Sequence, residues 1–294
     1  MISKRLALFF PLVMALCACR ESSPEALLER HYQPDTEYTT TMSLKSTRSL
    51  HLALPDSSVR AIMPESSMET ATRQILRVGS LDNGFCPVEL EVPSYTVSQP
   101  NERLRMHLAG CVGLGRYNVA ARRMEWGGLK DSLWQAPALV DSAWNVQALG
   151  APDAASYLQS TLDLLNAALA DSSRRLLPGQ AWSEEGRQET VIGPWPVAWK
   201  EIRTVTLRAV AGTEAIFDVA VKLVPEALPN GPAIRMEGQG KGRMDFDLAR
   251  HLTTANLMDT EMTIEVPDST ATWIARSSSH LDIRSETRAL PAGK

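Results

Sequence analysis

Beginning at Tyr38 the chain alternates, with Tyr38, Thr40, Met42 and Leu44 on one parity and Thr39, Thr41, Ser43 and Lys45 on the other. A period of two sends successive side chains to opposite faces, as a half-buried β-strand requires. Ile75 to Leu81 keeps the pattern, and Asp82-Asn83-Gly84 then signals a turn, because Asn and Gly adopt positive φ at little cost. Val88-Glu89-Leu90-Glu91-Val92 and Leu104-Arg105-Met106-His107-Leu108 alternate again on either side of a turn-like Ser98-Gln99-Pro100-Asn101-Glu102, which predicts a hairpin. Tyr117 to Trp126 reads as a further strand, whereas Ser57 to Ser67 gives no clear signal.

The period changes once. Leu158, Leu162, Leu165, Leu169 and Leu176 recur at helical spacing, with Gln159, Asp163, Asn166 and Asp171 largely on other faces. Asp153 suits an N-cap and Pro178-Gly179 a stop, so the pattern predicts a helix from Asp153 to about Arg175. With no basic polar face and no interfacial aromatics, it is better suited to packing on its own sheet than to lying on a membrane or docking a partner. Near the N-terminus, Ser22-Ser23-Pro24-Glu25 resembles a capping box, predicting a short helix over Glu25 to Arg30.

Four strands follow the central helix, over Ile202 to Val210, Ala215 to Val224, Ala233 to Phe246 and Leu257 to Val266. Their short connections predict an antiparallel meander with one wet face. In the third, Ile234, Met236, Gly238, Gly240, Gly242, Met244 and Phe246 share a face, and Arg235, Glu237, Gln239, Lys241, Arg243 and Asp245 take the other. Three glycines in register on the apolar side predict sharp curvature or close approach of another element, with the Ala-rich central helix as the candidate.

The fold class expected is therefore mainly β with one central helix (α+β), a curved antiparallel sheet or half-barrel packed on an amphipathic helix. Residues 1–18 form an export signal, 19–35 an anchor and short tether, 36–150 an N-terminal β half, 151–178 the central helix and 179–294 a C-terminal β meander, all one continuous domain after the signal.

The N-terminus sets the address. Lys4 and Arg5 precede an apolar run from Leu6 to Leu16, shorter than the roughly 20 residues a membrane-spanning helix needs. Leu16-Cys17-Ala18-Cys19 then has the form of a lipoprotein cleavage site, with small Ala18 directly before Cys19, the residue expected to carry lipid. Acyl chains contribute about 0.8 kcal/mol per buried methylene, so several on one cysteine hold a protein at the membrane. Arg20, where an Asp would mark inner-membrane retention in a Gram-negative host, points to the outer membrane, facing the periplasm. A soluble periplasmic protein cut by an ordinary signal peptidase is the alternative.

Removing residues 1–18 takes 30 basic residues to 28 against 34 acidic ones, leaving a net charge of −6 and making nucleic acid an unsuitable partner. Beyond the signal region only Cys86 and Cys111 remain; in an exported hairpin a disulfide between them is the natural expectation, with two free thiols as the alternative.

From the helix end through the meander the chain resembles a family of bacterial lipoproteins whose shared domain has no established activity. Leu177-Pro178, Gly179-Gln180-Ala181-Trp182, the glycine-rich Glu237 to Arg243 and Phe246-Asp247 carry the resemblance. Two departures stand out: Pro178 abuts Gly179, where the family has intervening residues, and no Gly follows at Leu248-Ala249. The resemblance implies a fold and an envelope address and carries over no catalytic residues.

No catalytic, cofactor or metal site is expected. His31, His51, His107, His251 and His280 are scattered, and no Gly-x-Ser-x-Gly elbow occurs. His280-Leu281-Asp282 places two titratable groups on one side of a strand, a weak metal or proton-transfer candidate. The apolar inventory is less ordinary, because 7 Trp and 11 Met outnumber 5 Phe and 5 Tyr. Met adapts its shape and Trp adds broad apolar surface, so these residues either fill an irregular core or line a cavity for a greasy ligand. Met236, Gly238, Gly240, Gly242, Met244 and Trp182 are the candidate lining. The function expected is a non-enzymatic, lipid-anchored envelope protein that binds a hydrophobic or lipid-like ligand; the alternative is an interaction or scaffold module for another envelope protein.

Overall fold

The computed structural model describes residues 25–99, 104–131, 138–140, 146–148 and 173–291 except 229–230 and 269, together with Gln159, Thr161, Leu165, Asn166 and Leu169. Its strands are β1 (Ala26–Leu28), β2 (Thr36–Ala53), β3 (Val59–Val78), β4 (Phe85–Gln99), β5 (Leu104–Asn118), β6 (Arg123–Asp131), β7 (Ala138–Val140) and β8 (Val146–Ala148) in the first half. The second half holds β9 (Arg174–Leu176), β10 (Ala181–Ile192), β11 (Trp195–Ala211), β12 (Glu214–Glu226), β13 (Arg235–Asp247), β14 (Leu252–Pro267) and β15 (Thr272–Ala289).

Eleven strands form one antiparallel sheet in the order β10-β11-β12-β13-β14-β15-β2-β3-β4-β5-β6. Each half is a meander of neighbours in sequence, and β15 joins the halves by pairing with β2 from Thr272↔Ala53 to Ala289↔Thr36. Short pairs β1-β9 and β7-β8 stand apart from it.

The sheet is strongly curled. In the strand order β11 and β15 are four positions apart, which on a flat sheet spaced at about 4.8 Å would separate them by about 19 Å. Trp195 and Trp199 of β11 nevertheless pack in one apolar cluster with Trp273 and Ala275 of β15 and Leu50 of β2. At the β10-β11 turn, a Cβ on Gly193 would lie 2.5 Å from the Trp273 ring. Register shifts in several pairs, among them Leu207/Ala209 and Asp245/Phe246, add the local twist that such curvature needs.

The glycines of β13 have a similar role, though the close neighbours are its own sheet partners. A Cβ on Gly242 would clash with the Leu257 carbonyl oxygen, and one on Gly238 would lie 2.5 Å from a Leu223 methyl. The concave face carries the core. One cluster gathers Phe217, Met244 and Phe246, and another Tyr38, Leu76, Val88, Leu90 and Tyr117.

Several expectations are corrected. The protein is nearly all β, and no helix forms an element of the fold among the described residues. Of the predicted central helix, Gln159, Thr161, Leu165, Asn166 and Leu169 are helical positions, but Arg174–Leu176, at its predicted end, is strand β9. The expected helix over Glu25 to Arg30 is likewise replaced by β1, whose Ala26, Leu27 and Leu28 pair with Leu176, Arg175 and Arg174. The physical reason is burial: Ala26, Leu28 and Leu176 enter the Phe217 cluster, and tertiary packing outweighs the local capping signal. Leu169, with Leu165 beside it, packs in the Tyr38 cluster and not on the glycine face of β13.

The hairpin of β4 and β5 is present, but its register is not the one a disulfide needs. Tyr117 lies opposite Cys86, and Val92 opposite Cys111. Along β4, Cys86 and Val92 are six residues apart, about 20 Å at strand rise. Cys86 is a buried free thiol, its pKa raised by desolvation and then by the charge of Asp35.

Candidate functional site

The concave face is wide, and chain from outside the sheet fills part of it. After β1, the segment Glu29 to Gln33 crosses one end of the curl. The Tyr32 ring meets Tyr38 of β2 and Tyr117 of β5 edge-on, with centroids 4.9 and 5.8 Å away. Backbone donors fix the crossing: Gln33 N–H to the Tyr38 hydroxyl at 2.6 Å and Tyr32 N–H to the Tyr117 hydroxyl at 3.5 Å. On the far side, Arg30 donates to Thr253 Oγ1 at 3.2 Å, and the His31 ring lies on the His251 ring with centroids 3.8 Å apart. Glu29 is held by an ion pair to Arg122 and, through its carbonyl, by His251 Nδ1 at 3.0 Å.

Beside this strap, Asn166 fastens the 159–169 region to β6 by a two-way bond, accepting from Met124 N–H at 2.7 Å and donating to Met124 O at 3.0 Å. Between the strap, Leu165 and Leu169, and the concave face of the sheet lies a cavity of 300 Å³. Met244 of β13, Ile283 of β15, Leu252 and the two leucines give it an apolar side. Arg30, Arg203, Asn256, Thr40 and Ser285 give it a polar one.

Two atoms there are not satisfied by the protein. Arg203 Nε and Asn256 Oδ1 are buried without a hydrogen-bond partner. A buried polar group left in this state costs about 1–3 kcal/mol, so such groups usually mark a bound water, ion or ligand. Glu184 is the cross-strand neighbour of Arg203, but its carboxylate accepts the Trp182 indole N–H at 2.6 Å. His31 has its pKa lowered by desolvation first and by the facing His251 next, so the strap carries a neutral imidazole near neutrality.

Of the predicted lining residues, Met244 lines this cavity and is buried. Met236 packs in the Trp273 cluster at the other end of the sheet. Gly238, Gly240 and Gly242 are occupied by close contacts from β12 and β14 and line no part of the 300 Å³ space. Trp182 packs on Phe217, centroids 5.7 Å apart, with the Arg174 guanidinium 5.0 Å above its ring. Cys19 lies outside the described residues. Sequence reasoning missed Arg203 and Asn256; the available signal was two charged residues, Glu201 and Arg203, on the inward parity of β11 between buried Val197 and Val205.

A larger depression of 660 Å³ is lined by Lys45, Glu69, Lys241, Asp259 and His280, among others. There Lys45 meets Glu69 at 3.6 Å and His280 Nδ1 meets Asp259 Oδ1 at 2.7 Å. These exposed, mutually paired charges of both signs leave little to attract one ligand class. His280 thus pairs with Asp259 across the strands, while Asp282 accepts from Arg284 at 2.9 Å. Among the described residues no group of three His, Cys, Asp or Glu side chains could hold a metal ion.

Fold and cavity together define an all-β protein with one large curled sheet and a partly filled concave face. No protein-family profile matches the chain, and no curated protein does. Among solved structures, the translocator domain of the autotransporter NalP from Neisseria meningitidis is aligned over 94% of this chain and 94% of that one, at 6% identity and a TM-score of 0.17. A likeness at that score carries no argument about fold or function.

Proposed function

We propose that this chain is a lipid-anchored envelope protein that binds a hydrophobic or lipid-like ligand on the concave face of its sheet and does no chemistry on it. The observation that carries the reading is the 300 Å³ cavity, apolar on one side and bearing a few convergent polar groups on the other. That mixture, at the small end of the ligand-pocket range, is what recognition of a small amphiphile requires. Cys19 carries the anchor in this account, Arg20 favours the outer membrane facing the periplasm, and the lipoprotein resemblance agrees with both.

The test is to extract the full chain from membranes in mild detergent and analyse what travels with it, then titrate it with a fluorescent fatty-acid probe. One amphiphile per chain beyond the covalent lipid on Cys19, displaced by the probe, is the expected result. A chain that carries none and leaves the probe's emission unchanged overturns the reading.

A further inference from the structure

We propose that β10 is an interaction surface for a second copy of this chain, the two β10 edges pairing antiparallel about Gly186 so that one sheet continues into the other. The cavity and its ligand play no part in this pairing.

The two ends of the large sheet differ. β6 meets β5 with register shifts at Val112/Gly113 and Leu114/Gly115, and its Gly128 takes a φ of 133°. Irregularities of this kind turn an edge away from further pairing. β10 instead runs opposite β11 from Ala181↔Thr206 to Ile192↔Trp195 without a shift, and β11 is its sheet neighbour among the described residues. Most of β10 is exposed, Val191 to 67%. A long, regular edge of this kind offers alternate N–H and C=O groups to an added strand.

Charge selects the occupant. A continuous sheet requires residues of like parity to face each other across the new pair. With Glu184, Glu185, Arg187 or Glu189 on the two-fold axis, that residue would oppose its own copy. With Gly186 on the axis, Glu185 of each copy lies opposite Arg187 of the other, Glu184 opposite Gln188, Ser183 opposite Glu189, and Ala181 opposite Val191. No like charges then stand opposed, and Ala181 to Val191 is paired throughout; centring on Gln188 also avoids them but leaves Ala181 to Ser183 unpaired. Within the single chain Glu185 meets Lys200, and Arg187 meets Glu189 and Glu226. Such exposed pairs contribute little, so these side chains are readily shared with a second copy. Backbone bonds supply the affinity, and the charges set the register.

Gly186 is the independent observation. Its φ is not positive, and a Cβ there would meet nothing within 4 Å, so the chain's own fold places no demand for glycine in this strand interior. A glycine in a strand often marks close approach of another backbone. Gly186 lies opposite Glu201, on the inward parity, where two curved sheets joined edge to edge would crowd their side chains. The result is a closed, isologous dimer.

The full chain in mild detergent should sediment as a dimer. Glu185→Arg or Arg187→Glu alone should weaken the dimer about tenfold or more, because each sets like charges opposite one another twice. Mixed in equal amounts, the two variants should dimerise as tightly as the parent, each supplying the charge the other needs. Thermal melts check that both fold, and the double variant, which restores the pairing within one chain, decides the matter should either single variant fail. Mild oxidation should link Gly186→Cys into a dimer absent from the parent and leave Gln188→Cys unlinked; the reverse overturns the Gly186 register. A monomeric parent, or single variants that dimerise as tightly as the parent, overturns the proposal. Assemblies that grow beyond a dimer would set β10 against β6 of the next copy and overturn it too.

Discussion

Gly193 and Trp273 fit together as a turn without a side chain and an indole that takes its place, joining strands four positions apart in the sheet. Gly193 has φ of 60°, and a Cβ there would meet the Trp273 ring at 2.5 Å. Gly193→Ala is expected to cost about 1–3 kcal/mol from overpacking together with a left-handed backbone. A fall in the thermal midpoint with a shift in tryptophan emission checks it; an unchanged melt would mean the curl does not depend on this contact.

Within β13 the constraint is backbone against backbone. A Cβ at Gly242 would clash with the Leu257 carbonyl, which cannot rotate away, whereas one at Gly186 of β10 meets nothing within 4 Å. Gly242→Ala should therefore destabilise by about 3 kcal/mol or more, and Gly186→Ala by less than about 0.5 kcal/mol either way. Urea denaturation of the pair measures the contrast, and comparable midpoints would be contrary to it.

Glu37 is a buried carboxylate held by two arginines, Arg77 Nε at 2.9 Å and Arg288 Nε at 2.7 Å. Burial raises its pKa, but the hydrogen bonds from Arg288 and Arg77 outweigh this and hold it below the ordinary glutamate value. A depressed folded pKa contributes stability that is present above about pH 4.5 and lost as pH falls through the folded value. Glu37→Gln should cost about 1–3 kcal/mol at pH 7, less than for a fully buried pair because the Arg288 side chain is 73% exposed. The variant should also lose less stability than the parent on acidification below pH 4.5. Parallel stability curves for the two proteins would exclude this role for Glu37.

His31 gives a second pH effect in a higher window. Desolvation, then His251, lowers its pKa below 6.5, so on acidification the unfolded chain takes up this proton first. Stability contributed by the neutral ring is present above about pH 6.5 and declines below it, until pH passes the folded value. An NMR titration of the His31 ring should give a midpoint under 6.5, and one at or above that value would contradict the packing of the strap.

Strands β4, β12 and β13 could be read from the sequence because the two faces of each differ in exposure. Alternation such as Ala215 to Leu223, buried at every second residue, records that asymmetry directly. In β10 and the first part of β3 both faces are largely exposed, so Glu184 to Thr190 and Val59 to Glu65 carry no apolar period. In β15 most positions on both parities are half-buried, and the pattern is again blurred. The glycines of β13 signalled close approach, but parity alone could not distinguish a helix from the neighbouring strands.

The cavity was harder to foresee. Its wall joins the strap at 30–32 to Arg203, Asn256 and Ile283, residues that only the curl of the sheet brings together. Met and Trp abundance suggested greasy space, yet Trp182, Met244 and Met258 pack in the Phe217 cluster and Trp195, Trp199, Trp273, Met236 and Met262 in the Trp273 cluster. No local pattern marks Arg203 and Asn256 as unpartnered, because that property belongs to the assembled interior.

The most direct measurement is photo-crosslinking of the full chain with a fatty acid carrying a diazirine in its acyl chain, followed by peptide mapping. The account predicts label on the peptides holding Met244, Leu252 and Ile283. Label confined to the outward residues of β13, such as Glu237, Gln239 and Lys241, or no label at all, would contradict it.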